Sequence, residues 1–335
     1  MRKLLCCIVV GLALVGLSGS SLWAGQQESP VPVIYDTDFG SDCDDAGALA
    51  VLHALADRGE AEILAVISVT GRKHVPGAID AINSYYGRPD LPIGAPVAGV
   101  WASWDRYAKH LAEGFTHDVK GKENVPPAVE LYRKILSKQS DNSVTIISVG
   151  FLRNMQNLLN STPDKHSKLH GAALVARKVD KLVCMAGKFP KGTEWNMKGG
   201  PWDYGSSAQR VVKDWPTEVI FTGYEIGHPI MTGARLLTET PESNPVREAY
   251  RIHPGTTEEG DRHSWDLTAI LYGVRGARDY WDVHRQGHLV VHNDGSNTWK
   301  NAPHDPRSGY LVQKMAVPKM EEVLGDLLVK PPGNR

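Results

Sequence analysis

Five aspartates fall within ten residues, at Asp36, Asp38, Asp42, Asp44 and Asp45 of the segment DTDFGSDCDD, directly after the apolar run VPVIY. One or two carboxylates would serve a helix start, where backbone N–H groups and the helix dipole favour negative charge. Five in one loop repel one another too strongly for capping alone. Crowded oxygen ligands are what a hard divalent cation, Ca²⁺ or Mg²⁺, requires. Cys43 in the same loop reads as a bystander, because Ca²⁺ prefers oxygen to sulfur.

Such a loop has to be held at the end of something rigid. Apolar runs of strand length recur at 31–36, 61–69, 143–150, 180–187 and 217–223. They are continuous rather than alternating, the pattern of strands covered on both faces of a parallel sheet. Helical spacing fills the intervals at 44–59, 126–139, 206–215 and 263–276; the first opens on Asp44 and Asp45 and stops at Gly59. This alternation predicts an α/β fold with a mostly parallel central sheet flanked by helices, one domain over 25–335. In open α/β sheets functional groups gather at the carboxyl ends of strands, and the acidic loop occupies one. The stretch 95–125, with Trp101, Trp104, Tyr107 and Phe115, reads as an insertion over one sheet edge, and 277–310 as a second insertion or a hairpin.

Of the 335 residues 41% are hydrophobic and 22% charged, with a formal net charge of −1. That balance gives no field to attract nucleic acid or an anionic membrane. Residues 1–24 read as a signal peptide, with Arg2 and Lys3, an apolar stretch from Leu4 to about Leu17, and small residues before Ala24. The expected mature protein is exported, periplasmic or secreted, with no membrane anchor after cleavage. It keeps Cys43 and Cys184 of the four cysteines, too few for a disulfide framework.

Two motif classes with clustered aspartates do not fit. An EF-hand begun at Asp36 needs glycine at its sixth position and glutamate at its twelfth, where this chain has Ser41 and Gly47. Phosphatases of the haloacid dehalogenase type carry Thr or Val where Gly40 stands. The segment VIYDTDFGSDCDDAGALAVLHAL instead resembles the N-terminal signature D-x-D-P-G-x-D-D-A of the inosine-uridine-preferring nucleoside hydrolases, with Phe39 for proline and two extra residues before Asp44. Four later segments resemble further blocks of that family in the same order: IISVGFLRNMQNLL (146–159), TEWNMKGGPWD (193–203), TGYEIGH (222–228) and SWDLTAIL (264–271).

The resemblance implies a nucleoside hydrolase-like (Rossmann-like) fold and a Ca²⁺-dependent enzyme that cleaves ribonucleosides to ribose and base. It assigns the ion to Asp38, Asp45, the Val149 carbonyl and Asp266, with Asp38 as general base toward an activated water. Asp44, Glu194 and Asn196 would hold the ribose hydroxyls. Trp265 stands where many members place an acidic histidine; this is similar to a purine-specific branch in which aromatic rings sandwich the base. Trp101 or Trp104 would supply the opposite face, and His263 or His228 the leaving-group proton. Arg72 replaces an asparagine that usually contacts substrate, so another N-ribosyl compound is an alternative substrate. A non-catalytic, metal-stabilised ribose- or glycan-binding protein on the same fold is the alternative of another class. The family further implies a homodimer or homotetramer. His253, His284 and His304 read as surface or structural residues, and Asp42, inside the two-residue expansion, receives no role.

Overall fold

The strands of this chain, in the computed structural model, are β1 (Val31–Thr37), β2 (Ala61–Ser68), β3 (Ile93–Gly94), β4 (Val144–Ser148), β5 (Val179–Cys184), β6 (Lys191–Thr193), β7 (Glu218–Phe221), β8 (Met231–Thr232), β9 (Arg262–His263), β10 (Trp281–His284), β11 (His288–Val291), β12 (Ser296–Lys300) and β13 (Ser308–Gln313). The structure describes residues 29–97, 105–302 and 307–333. The expected signal peptide, Trp101, Trp104 and His304 lie outside them. Eight strands form the central sheet in the order β10-β13-β7-β5-β4-β1-β2-β3. Every pairing in it is parallel except β10 with β13. The five expected strands are β1, β2, β4, β5 and β7.

Continuous apolar runs form these strands because both faces are buried. Along β1, Val33 and Tyr35 enter one core, with the helices Asp44–Asp57, Trp265–Arg275 and Val317–Leu328. Ile34, one residue out of phase, enters the other core, with the helices Ala128–Leu136, Arg153–Asn160 and Ser206–Asp214. Period-two alternation thus holds between two apolar faces, so the run reads as continuous until the polar Asp36 and Thr37 at the strand end. The last expected helix begins at Trp265, later than its apolar spacing suggests, because Arg262 and His263 pair with β8 instead. Among the described residues no helix is long and apolar enough to cross a membrane.

The two segments expected to be insertions have definite places. Within 277–310, β10 and the start of β13 extend the central sheet, and β11–β12 form a hairpin that pairs with β6. The helix Ala108–Gly114 packs on the helix Val75–Tyr85. More than covering an edge, this segment reaches the acidic loop: Tyr107 meets Phe39 edge-on at 5.2 Å between ring centroids, and its hydroxyl accepts the Gly40 N–H at 3.1 Å. Phe39, the family's proline position, is fully buried there.

Strand order reverses at β1. The chain proceeds outward to β2 and β3, then returns across β1 to build β4, β5 and β7 on the other side. The crevice between the carboxyl ends of β1 and β4 is the switch point where this architecture places ligands. It is kept narrow by glycine: a Cβ on Gly150 would lie 2.7 Å from the Asp38 nitrogen and 2.9 Å from the Asp38 Cβ. Gly150→Ala is therefore expected to push Asp38 outward and lower stability by about 1–3 kcal/mol, read as a lower urea midpoint. Gly114→Ala, whose Cβ meets nothing within 4 Å, should leave the midpoint unchanged in the same measurement.

Candidate active site

A cavity of about 410 Å³ opens above the switch point. Its acidic floor is Asp38, Asp44, Asp45 and Asp266; one wall carries Val149, Met185, Thr193, Glu194 and Asn196; another carries Tyr224 and Trp265. Ser41, Asp42, Arg106, Trp195, His253, Gly255 and Arg262 complete its lining.

Asp45 and Asp44 are held by contacts from neighbouring segments. Tyr35 on β1 donates to the Asp45 carbonyl at 3.0 Å, and the Thr37 hydroxyl donates to the Asp45 carboxylate. The Asp44 carboxylate accepts the Asp266 N–H at 3.2 Å, joining the starts of the first and last expected helices. Asp36 points away from the cavity and ties β1 to its neighbours, accepting from Tyr132 at 2.9 Å and Asn154 at 2.7 Å. Arg72 supports the loop from behind: its Nη1 donates to the Asp38 and Phe39 carbonyls, both at 2.7 Å. It does not line the cavity; its guanidinium holds the loop backbone.

Ligand oxygens of Asp44, Asp45 and Asp266 lie within 4.8 Å of one another, and all three residues are buried. Burial first, and then the neighbouring charges, push all three carboxyls well above the ordinary value of 3.8. Burial lifts Asp38 to about 6 even though the Arg72 guanidinium opposes it. Carboxylates packed in this way stay charged only beside a compensating positive charge. The donor set consists of hard oxygens and includes the Val149 carbonyl at the cavity wall, so the residues fit a hard divalent cation. Asp38 lines the same cavity but is outside the three-residue cluster; Asp44, expected to serve only the sugar, is inside it. A second cluster, Asp42, Cys43 and His253, already has a cation on it. Arg262 Nε and Nη2 grip Asp42 at 2.9 and 2.5 Å and hold its carboxyl below the ordinary range against the effect of burial.

Glu194 and Asn196 build the adjoining wall. The Glu194 carboxylate accepts the N–H groups of Gly187, Asn196 and Met197 at 2.8–2.9 Å, capping the short helix Trp195–Lys198. Burial still raises it to about 7. The Asn196 amide donates to the Val149 carbonyl at 2.6 Å and to the Met185 carbonyl at 3.0 Å. The expected cation-binding carbonyl and the expected ribose-binding side chain are therefore directly linked.

Trp265 lines the cavity, its indole Nε1 donating to the Tyr224 carbonyl at 3.0 Å and its ring tilted against the Tyr224 ring at 5.6 Å. His263 and His228 stand beside it, stacked on each other at 4.3 Å and centred 4.7 and 6.1 Å from the indole; neither lines the cavity. Tyr224, Arg262 and His253 belong to the site without having been singled out. Tyr224 sits inside the flagged TGYEIGH, Arg262 two residues before the flagged SWDLTAIL, and His253 had no sequence signal. The Gly255 N–H donates to His253 Nδ1 at 3.1 Å, so Nε2 carries the proton and donates to the Ser41 carbonyl at 3.1 Å. His253 is thereby a neutral strut of the acidic loop rather than a surface residue.

A profile of the family described as inosine-uridine preferring nucleoside hydrolase matches residues 33–304. The uncharacterized protein C1683.06c of Schizosaccharomyces pombe is 27% identical over 277 residues, covering 72% of this chain and 82% of that one. The inosine-uridine preferring nucleoside hydrolase of Bacillus anthracis superposes with a TM-score of 0.66 at 16% identity, over 89% of this chain and 99% of its own. A purine-preferring ribonucleoside hydrolase from Gardnerella vaginalis gives 0.66 at 13% identity, over 89% and 98%. With the acidic cluster at the switch point and a match spanning most of its length, the chain belongs to the inosine-uridine preferring nucleoside hydrolase family, a family of N-glycosidases.

Proposed function

We propose that this protein is an exported ribonucleoside hydrolase that requires Ca²⁺ and favours purine nucleosides. The observation that carries this reading is the buried carboxylate cluster opening into a cavity whose other walls are the Glu194–Asn196 segment and the rings of Trp265 and Tyr224. Asp45, Asp266, Asp38 and the Val149 carbonyl would hold the ion, with Asp44 close enough to share it with the sugar. When bound, the ion supplies a positive centre that orients the vicinal ribose hydroxyls and makes a neighbouring water more acidic.

The rest of the chemistry belongs to the side chains. Asp38 takes the proton from the attacking water. Asp44, Glu194 and Asn196 hold the ribose hydroxyls, so that C1′ faces the water. As the C–N bond breaks, the ribose ring gains positive charge, and the surrounding carboxylates stabilise it. Trp265 and Tyr224 offer π-surface to the departing base, and a purine covers more of that surface than a pyrimidine does. His263 and His228 pack beside Trp265 without lining the cavity, and in this reading the leaving base takes its proton from solvent at the open mouth.

Reducing-sugar release from inosine, adenosine, guanosine, uridine and cytidine tests the reading. Purine nucleosides are expected to be the better substrates, and Asp38→Asn to lower kcat by about 10²–10⁴-fold. Equal null results for wild type and Asp38→Asn on every N-riboside would leave the binding-protein alternative in its place. His263→Ala and His228→Ala should each cost less than about tenfold in kcat; a larger loss would make the imidazole the acid.

The raised carboxyls give a second test. In the cation-free protein the folded state holds protons that the unfolded chain has released above about pH 4, so its stability falls as pH rises through 6. Ca²⁺ binding requires the deprotonated forms. The increase in Tm on adding Ca²⁺ after chelation is therefore expected to be larger near pH 7.5 than near pH 5. An increment independent of pH would exclude these carboxylates as ligands.

A further inference from the structure

The two-residue expansion of the acidic loop has a partner elsewhere in the fold, and the partner touches the aromatic wall. Asp42 is gripped by Arg262 through Nε at 2.9 and 3.2 Å and Nη2 at 2.5 Å. The remaining edge of the same guanidinium donates from Nη1 to the Gly255 carbonyl at 3.0 Å. Its carbon lies 5.3 Å from the centre of the Trp265 ring. The strand that carries Arg262 is two residues long and pairs only with the equally short β8. The Asp266 N–H on Asp44 at 3.2 Å joins the following helix start to the acidic loop. At β9 itself the fork of Arg262 makes the connection, and a bidentate guanidinium–carboxylate contact fixes orientation as well as distance.

The geometry points to Asp42 and Arg262 as a positioning pair that sets the Trp265 indole over the leaving-group side of the cavity, leaving the cation and ribose side to the strand ends. This rests on the hydrolase reading above, in which Trp265 faces the base. Asp42 is not needed for the cation: its carboxylate is spent on Arg262, and the cluster Asp44, Asp45 and Asp266 forms without it. Arg262 is not needed for the ribose, which the opposite wall holds. The pair therefore acts on how the base departs, and its loss should matter only where departure is difficult.

A comparison of two leaving groups reads that directly. Inosine loses a poor leaving group that depends on the aromatic wall; para-nitrophenyl riboside loses a stable phenolate that does not. Asp42→Asn and Arg262→Met are expected to lower kcat/KM for inosine by at least about tenfold while changing it less than about threefold for para-nitrophenyl riboside. Cation affinity, titrated calorimetrically on the same proteins, should stay within about threefold of wild type. Arg262→Lys, which keeps the charge and loses the fork, should fall between wild type and Arg262→Met on inosine. It also serves as the folded variant should Arg262→Met not fold. The exchanged pair Asp42→Arg with Arg262→Asp should recover part of the inosine loss, as expected for two directly coupled residues. Equal losses on both substrates, weakened cation binding, or full activity on inosine in the single variants would each overturn the pair's role. A wild-type enzyme inactive on both substrates and on the nucleoside panel would instead overturn the hydrolase reading itself.

Discussion

Burying three carboxylates after one strand against a fourth from a distant helix start is the constraint on which the rest of this structure depends. Asp38, Asp44, Asp45 and Asp266 are each at most 6% exposed, and charges so placed repel one another in a medium that screens them poorly. Protons or a cation must enter with them. The sheet makes the arrangement tolerable by bringing the carboxylates to a switch point, where two strands end side by side and helix starts offer N–H groups. Asp44 accepting from the Asp266 backbone shows how one helix start supplies what another's side chain needs. The same geometry that makes the loop costly without an ion prepares it to hold one.

The chain departs from its family pattern in this loop, and each departure has a compensating contact. Phe39, in place of proline, gives up a rigid turn residue and gains a buried ring contact with Tyr107. Gly40 then adopts a φ of +98°, which glycine tolerates, and its N–H and carbonyl are taken by the Tyr107 hydroxyl and the Arg106 N–H. Arg72, in place of asparagine, secures the Asp38 and Phe39 carbonyls. The two additional residues bring Asp42, which Arg262 engages. The substitutions are thus coupled: a longer loop requires more anchors, and the anchors come from Arg72, Tyr107, His253 and Arg262, which lie far apart in sequence.

The central sheet and the acidic floor could be read from the sequence because both are local signals. Apolar runs identify strands buried on two faces, and the crowding of aspartates is visible within ten residues. Three of the four later blocks bring Val149, Glu194, Asn196 and Asp266 to the same cavity, since a strand end or helix start fixes where each one points. The mouth of the site could not be read in this way. Arg262 and Asp42 are 220 residues apart, and nothing in either neighbourhood announces an ion pair. His253 was one histidine among 13, distinguished only by the tautomer that the Gly255 N–H imposes. His263 lies two residues before Trp265 and His228 within TGYEIGH, and the fold stacks their two rings on each other beside the indole.

This division between legible and illegible residues has a physical basis that bears on how the site works. Asp38, Asp44, Asp45 and Val149 stand on segments that directly follow β1 and β4, strands paired in parallel with neighbours on both sides. Tyr224 stands in the four-residue helix Tyr224–Gly227, and Trp265 and Asp266 open the helix that follows the two-residue strand β9. A Cβ on Gly227 would fall 2.3 Å from the Trp265 Cα, so this wall is held together by backbone packed directly on backbone. Short elements of this kind have little stability of their own and take their position from side-chain contacts, of which Asp42–Arg262 joins them to the loop. Trp265 and Asp266 are neighbours on one helix, so a change that shifts the aromatic wall also reaches the acidic floor through the Asp266 N–H that Asp44 accepts. The carboxylates at the strand end are the part of the site that sequence makes plain, and the contacts that join the short elements to them are the part that only the structure reveals.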